Sequence, residues 1–206
     1  MGLEELSVKL FKMGEIAEQT VAFSIEGFLK GLDVSEKVYS LSEALVAMNT
    51  DIEDKAFELT ARYQPVASDL RIIKSYMKIG YDLERIGRYA WDISFDHKKF
   101  AKLERCEYSQ ELVENLAEKV MEMVSASVAA LKNHNAEMAE TLATTEEEVD
   151  KMSVEYLDRL ARAPPTTKCL VASVLAVRYL ERIADHTTYM GESIVYIVTG
   201  KKVILR

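Results

Sequence analysis

Glu181 and Asp185 stand four residues apart in the stretch Leu180-Glu181-Arg182-Ile183-Ala184-Asp185-His186, and the same spacing recurs at Glu146 and Asp150. On a helix, residues four apart share one face about 5.4 Å apart along the axis, so each pair sets two like charges side by side. Pro164-Pro165 breaks the chain between the two pairs. If the chain forms an antiparallel hairpin that turns there, facing residues have a constant sum of residue numbers. Glu146 with Asp185 and Asp150 with Glu181 share one such sum, 331. Four carboxylates then reach one level on two adjacent helices. Glu146 also falls on the apolar stripe of its helix, between Leu142 and Val149, where a carboxylate is costly. A cation would offset that cost, and oxygen-only ligation points to a hard or borderline ion such as iron, manganese, magnesium or calcium. Raised pKa values or simple solvation of the acids would serve as well, and a solvated face is what either pair alone suggests.

The elements that must carry these acids are helices. Gly (8) and Pro (3) are scarce in 206 residues, and 49% of the chain is apolar, enough to fill a core. Apolar residues recur at spacings of three and four in Leu3, Leu6, Leu10, Met13, Ile16 and Ala17, which begins a helix running to about Leu29. Gly31 to Ser35 interrupts it. A second stripe, from Val38 through Leu45 and Ile52 to Tyr63, ends at Gln64-Pro65, and Pro65 is expected both to stop that helix and to start the next. The third helix, about Val66 to Phe95, turns Tyr76, Ile79, Leu83, Ile86, Ala90 and Ile93 inward. Loss of pattern from Asp96 to Glu107 reads as a connector, with His97 solvated beside Lys98 and Lys99. Helices at about Tyr108 to Lys132, Ala136 to Ala161 and Thr166 to Thr199 follow, and Gly200 is a C-terminal cap signal.

The fold class is therefore all-α, with six long helices as two tandem antiparallel three-helix bundles, residues 1–97 and 107–200. The second bundle is a copy of the first, because Leu83-Glu84-Arg85-Ile86 repeats as Leu180-Glu181-Arg182-Ile183 at an offset of 97. All three prolines sit at equivalent joints of the two halves. At that offset the second-half acids correspond to Asn49, Glu53, Glu84 and Arg88, so the first half has two acids, an amide and a guanidinium. Arg88 is expected to neutralise that group internally, with Asp82 and Asp92 near the same helix face.

Other features restrict function by class. A net charge of −8 disfavours nucleic acid and anionic membranes as partners. The longest apolar run, Cys169 to Val177, is too short to span a bilayer, and the acidic start Met1-Gly2-Leu3-Glu4-Glu5 is not that of a signal peptide. Cys106 and Cys169 lack metal-type spacing and are expected to be reduced thiols in a cytosolic protein. Di-iron carboxylate enzymes use Glu-x-x-His pairs, and none of His97, His134 or His186 has Glu three residues before it, which argues against an enzyme. Tyr89 and Trp91 read as packing residues, and the methionines as core filler.

Gln64-Pro65-Val66-Ala67-Ser68-Asp69-Leu70-Arg71 with Asp82-Leu83-Glu84-Arg85-Ile86-Gly87, and Leu180 to His186 with Glu192 and Tyr196-Ile197-Val198-Thr199-Gly200, resemble the two repeats of PhoU proteins. The resemblance covers essentially the whole chain. It implies an E(D)xxxD motif on the second and third helix of each repeat, holding a metal ion or a multinuclear iron or zinc cluster. Glu146-Asp150 and Glu181-Asp185 match that motif in full, while Asn49-Glu53 and Glu84-Arg88 depart from it. Glu53, Glu84, His186 and Glu192 are secondary ligand candidates. The resemblance further implies a cytoplasmic negative regulator of phosphate uptake and phosphate-starvation signalling. Its partners would be the ATPase of the phosphate ABC transporter, a sensor histidine kinase and a second copy of itself as a homodimer. An accessory of another ion or phosphate carrier, or a metal-free structural bundle, stays open beside it.

Overall fold

The structure, a computed structural model, describes residues 2–103, 107–162 and 167–205. Six α-helices follow one another: α1 (Gly2–Lys30), α2 (Ser35–Tyr63), α3 (Ala67–Asp96), α4 (Glu107–Asn133), α5 (Ala136–Ala161) and α6 (Thr167–Thr199). The stripes read from periodicity are the core. Leu6, Leu10, Leu45, Ile52, Ile79, Leu83, Ile86, Val149 and Ile183 all have 0% exposure. Tyr63 is the exception, 71% exposed at the end of its stripe.

Several joints differ from expectation. α2 ends at a left-handed Gln64 (φ 45°), and Val66 is already extended (φ −92°, ψ 163°), so Pro65 sits in the link and not in the first turn of α3. Pro164 and Pro165, the other expected joint, lie outside the described residues. α6 ends as its sequence suggests: Gly200 takes φ +73°, where a side chain would be strained, and its N–H donates to the Tyr196 carbonyl at 3.0 Å.

The connector is less open than its polar sequence implies. After α3 the chain continues in a π-helical turn, His97–Ala101, which buries His97 and Ala101 at 2% exposure each. The His97 ring meets Phe28 at a centroid distance of 4.8 Å, so this histidine belongs to the core and not to a solvated loop. Lys98 reaches back to Asp33 at 2.9 Å, which, with the Ser35 hydroxyl, holds the Asp33 carboxyl down at about 2. Cys169 is disulfide-bonded, which corrects the expectation of reduced thiols, and the chain's other cysteine, Cys106, lies outside the described residues.

Packing builds a slab in which α1 and α3 lie against α4 and α6, with α2 and α5 on the outer sides. α3 packs on α6 more extensively than any other two helices do, and one continuous apolar core runs through both halves. α2 lies close on α3 because Gly80 and Gly87 face Asn49 and Leu45, and a Cβ on Gly80 would come within 2.6 Å of the Asn49 amide oxygen. Each hairpin, α2 with α3 and α5 with α6, thereby brings one outer and one inner helix side by side at the level of the candidate acids.

Candidate metal centre

Residues four apart on α5 and on α6 converge as the hairpin register requires. Carboxylate oxygens of Glu146, Asp150 and Asp185 lie within 4.8 Å of one another. Glu146 is 4% and Asp185 7% exposed, while Asp150 is open to solvent. The three line a groove of about 520 Å³ together with Glu147, Lys151, Glu181 and Arg182. A cation holds its ligand oxygens at about 2.0–2.6 Å, so two ligands on one ion are at most about 5 Å apart, and the triad fits that geometry as it stands. Glu181 shares the groove but is engaged by Arg178, its neighbour one turn earlier on α6. Asp185 accepts from Arg182 Nη1 at 3.1 Å. Two guanidinium groups thus balance part of the charge, a feature that reading the acids alone missed, although Arg178 and Arg182 stand three before Glu181 and Asp185 in the sequence.

The first half does not reproduce this cluster. Asn49 donates from Nδ2 to Glu84 Oε2 at 3.0 Å, and its own amide oxygen is buried without a partner. Arg88 does not neutralise Glu53 and Glu84; it pairs with Glu43 at 3.3 Å. A long side chain takes whichever carboxylate its helix face offers, and position 43 cannot be read from an i, i+4 motif. Glu53 is half-buried, and among the described residues no set of three acids, histidines or cysteines converges there.

His186 and Glu192 point elsewhere as well. Nδ1 of His186 meets Asp82 Oδ1 at 2.8 Å across the α3–α6 seam, and the rings of Tyr81, Tyr89 and Tyr189 surround the imidazole. Glu192 lies 3.5 Å from Lys78 Nζ and accepts from the Leu205 backbone N–H at 3.3 Å. The seam is acidic. Asp82, 2% exposed, Asp92 and Asp96 all have carboxyls pushed above the usual range, chiefly by burial. Asp96 accepts from the Tyr179 hydroxyl at 3.1 Å, and burial pushes that hydroxyl up to about 12.

A pH dependence follows for Asp92, which is raised by burial and then by Asp96. With the folded pKa above the unfolded one, the fold is penalised once the carboxyl ionises. The penalty is present in full above the folded value and disappears as pH falls below the unfolded value of about 3.9. Asp92→Asn should therefore raise the urea midpoint at pH 7 with an unchanged slope, and the gain should shrink toward pH 4. A gain that stays constant with pH would rule out ionisation as its source.

Comparison with known proteins gives a consistent result. The model of the PhoU domain family matches residues 10–96 and 113–194. The "Phosphate-specific transport system accessory protein PhoU homolog" of Clostridium acetobutylicum is 32% identical over 209 residues, covering 98% of this chain and 95% of that one. PhoU homolog 1 of Methanothermobacter thermautotrophicus is 29% identical, covering 97% and 90%. The crystal structure of PhoU from Pseudomonas aeruginosa superposes with a TM-score of 0.93 at 26% identity, covering 97% of this chain and 98% of that one.

Proposed function

This chain belongs to the PhoU family, and from that membership we propose that it regulates phosphate uptake and phosphate-starvation signalling by binding partner proteins. It is an accessory protein of phosphate transport, and the family match through both halves is the observation that carries this reading. No helix among the described residues is long and apolar enough to cross a membrane, so the protein would act at the transporter by docking to it. The partners we infer are the phosphate-transporter ATPase and a sensor histidine kinase, with action from the cytoplasm as a negative regulator and with the chain as a homodimer. Residues 1–97 and 107–200 serve as the two repeats.

Within this reading the second repeat holds the metal. Glu146, Asp150 and Asp185 would ligate it, and Glu181 would join once released from Arg178. Iron or zinc is the inferred ion, supplying positive charge that fixes α5 against α6. Convergence of the Glu146, Asp150 and Asp185 carboxylate oxygens within 4.8 Å of one another supports this, because that is the spacing of ligands on one ion. The first repeat, with Asn49 hydrogen-bonded to Glu84, is inferred to stay metal-free. The protein has no catalytic role in this account.

Pull-down tests the docking directly. Purified chain should retain a phosphate-transporter ATPase on a column, and absence of retention in both high and low phosphate would count against the regulator. Elemental analysis tests the centre: Glu181→Ala plus Asp185→Ala should lose the bound metal, and equal metal content in that variant and the parent would eliminate the second-repeat site.

A further inference from the structure

A second, oppositely charged site lies about ten residues along α6 from the acids. Lys74, Ser75 and Lys78 on α3, Glu192, Ser193 and Tyr196 on α6, and Lys202 and Val203 of the segment after α6 enclose a cavity of about 270 Å³. That segment folds back over the seam, tied down where Leu205 N–H donates to Glu192 and where the Leu205 side chain packs at Gly191. Three ammonium groups thus surround one carboxylate in a chain whose net charge is −8. Glu192 and Lys78 offset each other at 3.5 Å. Lys74 and Lys202 have no carboxylate partner among the described residues.

Two observations show that this is more than a pair of surface lysines. Arg71, one turn before Lys74, lies over the Tyr196 ring at 6.0 Å and beside Gly200, and its Nε is buried with no acceptor. A buried guanidinium N–H without an acceptor is an unmet demand for an oxygen. In addition, the hydroxyl residues Ser75 and Ser193 on the cavity wall are buried, at 3% and 5% exposure. The duplication supplies an internal comparison. Lys74 and Lys78 correspond, at the offset of 97, to Val171 and Leu175, so the equivalent end of the seam has lost or never had this charge.

We propose that the cavity binds a small dianionic phosphate group, with Lys74 and Lys202 neutralising it, Ser75 donating a hydrogen bond and Arg71 adding positive charge from beside Tyr196. A phosphate group carries about −1.5 to −2 at pH 7, which matches two unpaired ammonium groups, and lysine serves as a point-charge phosphate binder. The site uses both halves and the terminal segment, so its occupancy favours the docked form of that segment. It is independent of the metal centre, because none of its residues touches the acidic triad.

Calorimetric titration of metal-stripped protein with inorganic phosphate, and separately with glycerol phosphate, tests the site at low salt. Saturable binding of either supports it, inorganic phosphate alone marking the free ion as ligand and glycerol phosphate alone marking a phosphomonoester. Lys74→Gln plus Lys202→Gln, exposed positions whose replacement leaves the helical circular dichroism intact, should weaken binding at least tenfold, about 1.4 kcal/mol. Glu146→Gln should leave it unchanged. No heat with either compound, or equal affinity in the double lysine variant, would overturn the proposal.

Discussion

Addition of a divalent cation at a hundredfold excess over its Kd should raise the unfolding free energy of the metal-stripped protein by about 2.7 kcal/mol. For a chain of this length that is a rise in Tm of roughly 5–10 °C. A variant that lacks two of the three carboxylates makes the test sharp. Carboxylate oxygens of Glu146, Asp150 and Asp185 lie within 4.8 Å of one another only in the folded chain, so a cation held there adds its binding energy to the folded state alone. Glu146→Gln plus Asp185→Asn should gain nothing from added metal, whatever its own unfolding temperature in a chelating buffer. Thermal scans with zinc, manganese and ferrous ion then rank the ions by the size of the shift. A parent that is indifferent to all three, or a variant that responds as the parent does, would remove the triad from consideration as a ligand set.

The second large effect concerns the repeated Leu-Glu-Arg-Ile. Leu83 and Leu180 are 0% and 1% exposed, and each leucine belongs to the single core that spans both halves. Truncating either to alanine should cost about 2–5 kcal/mol through lost burial and a residual cavity. Against a total stability of roughly 5–15 kcal/mol this is a large fraction, and it corresponds to a Tm lower by about 5–20 °C. Because α3 packs more extensively on α6 than on either other helix of its own bundle, Leu83→Ala should move one cooperative transition and leave no half standing. Two calorimetric peaks, only one of them displaced, would mean that the halves unfold separately.

What could be read without coordinates was whatever depends on period. Helix limits came within a residue or two, since apolar stripes and sparse breakers mark them, and the α5–α6 register placed Glu146, Asp150 and Asp185 together, since a hairpin has one free parameter. What could not be read depends on reach. Arg88 selects Glu43 and Glu181 is taken by Arg178 because long side chains choose among neighbours that periodicity does not rank. His97 looked solvated because its neighbours are charged, although Ile93, His97 and Ala101 stand four apart and share the buried face. The cationic cavity needed the segment after α6 to fold back, and no pattern in Lys201-Lys202-Val203 announces that.

The way the halves meet has a consequence of its own. α3 touches α6 and α1 touches α4, so each of these helices lies on its own duplicate. Side chains obey the same rule. Tyr89 and His186 are equivalent positions, and their rings are in contact at 5.7 Å, while the Asp82–His186 pair has as its counterpart the stacked rings of Tyr179 and Tyr89. Like meeting like is the mark of an isologous interface, with an approximate two-fold axis passing between Tyr89 and His186. The protein is in effect a homodimer closed within one chain, and covalent linkage has allowed its two protomers to diverge. One carries the acids on its outer hairpin, the other carries the lysines on its inner face, and a true homodimer could have held neither difference.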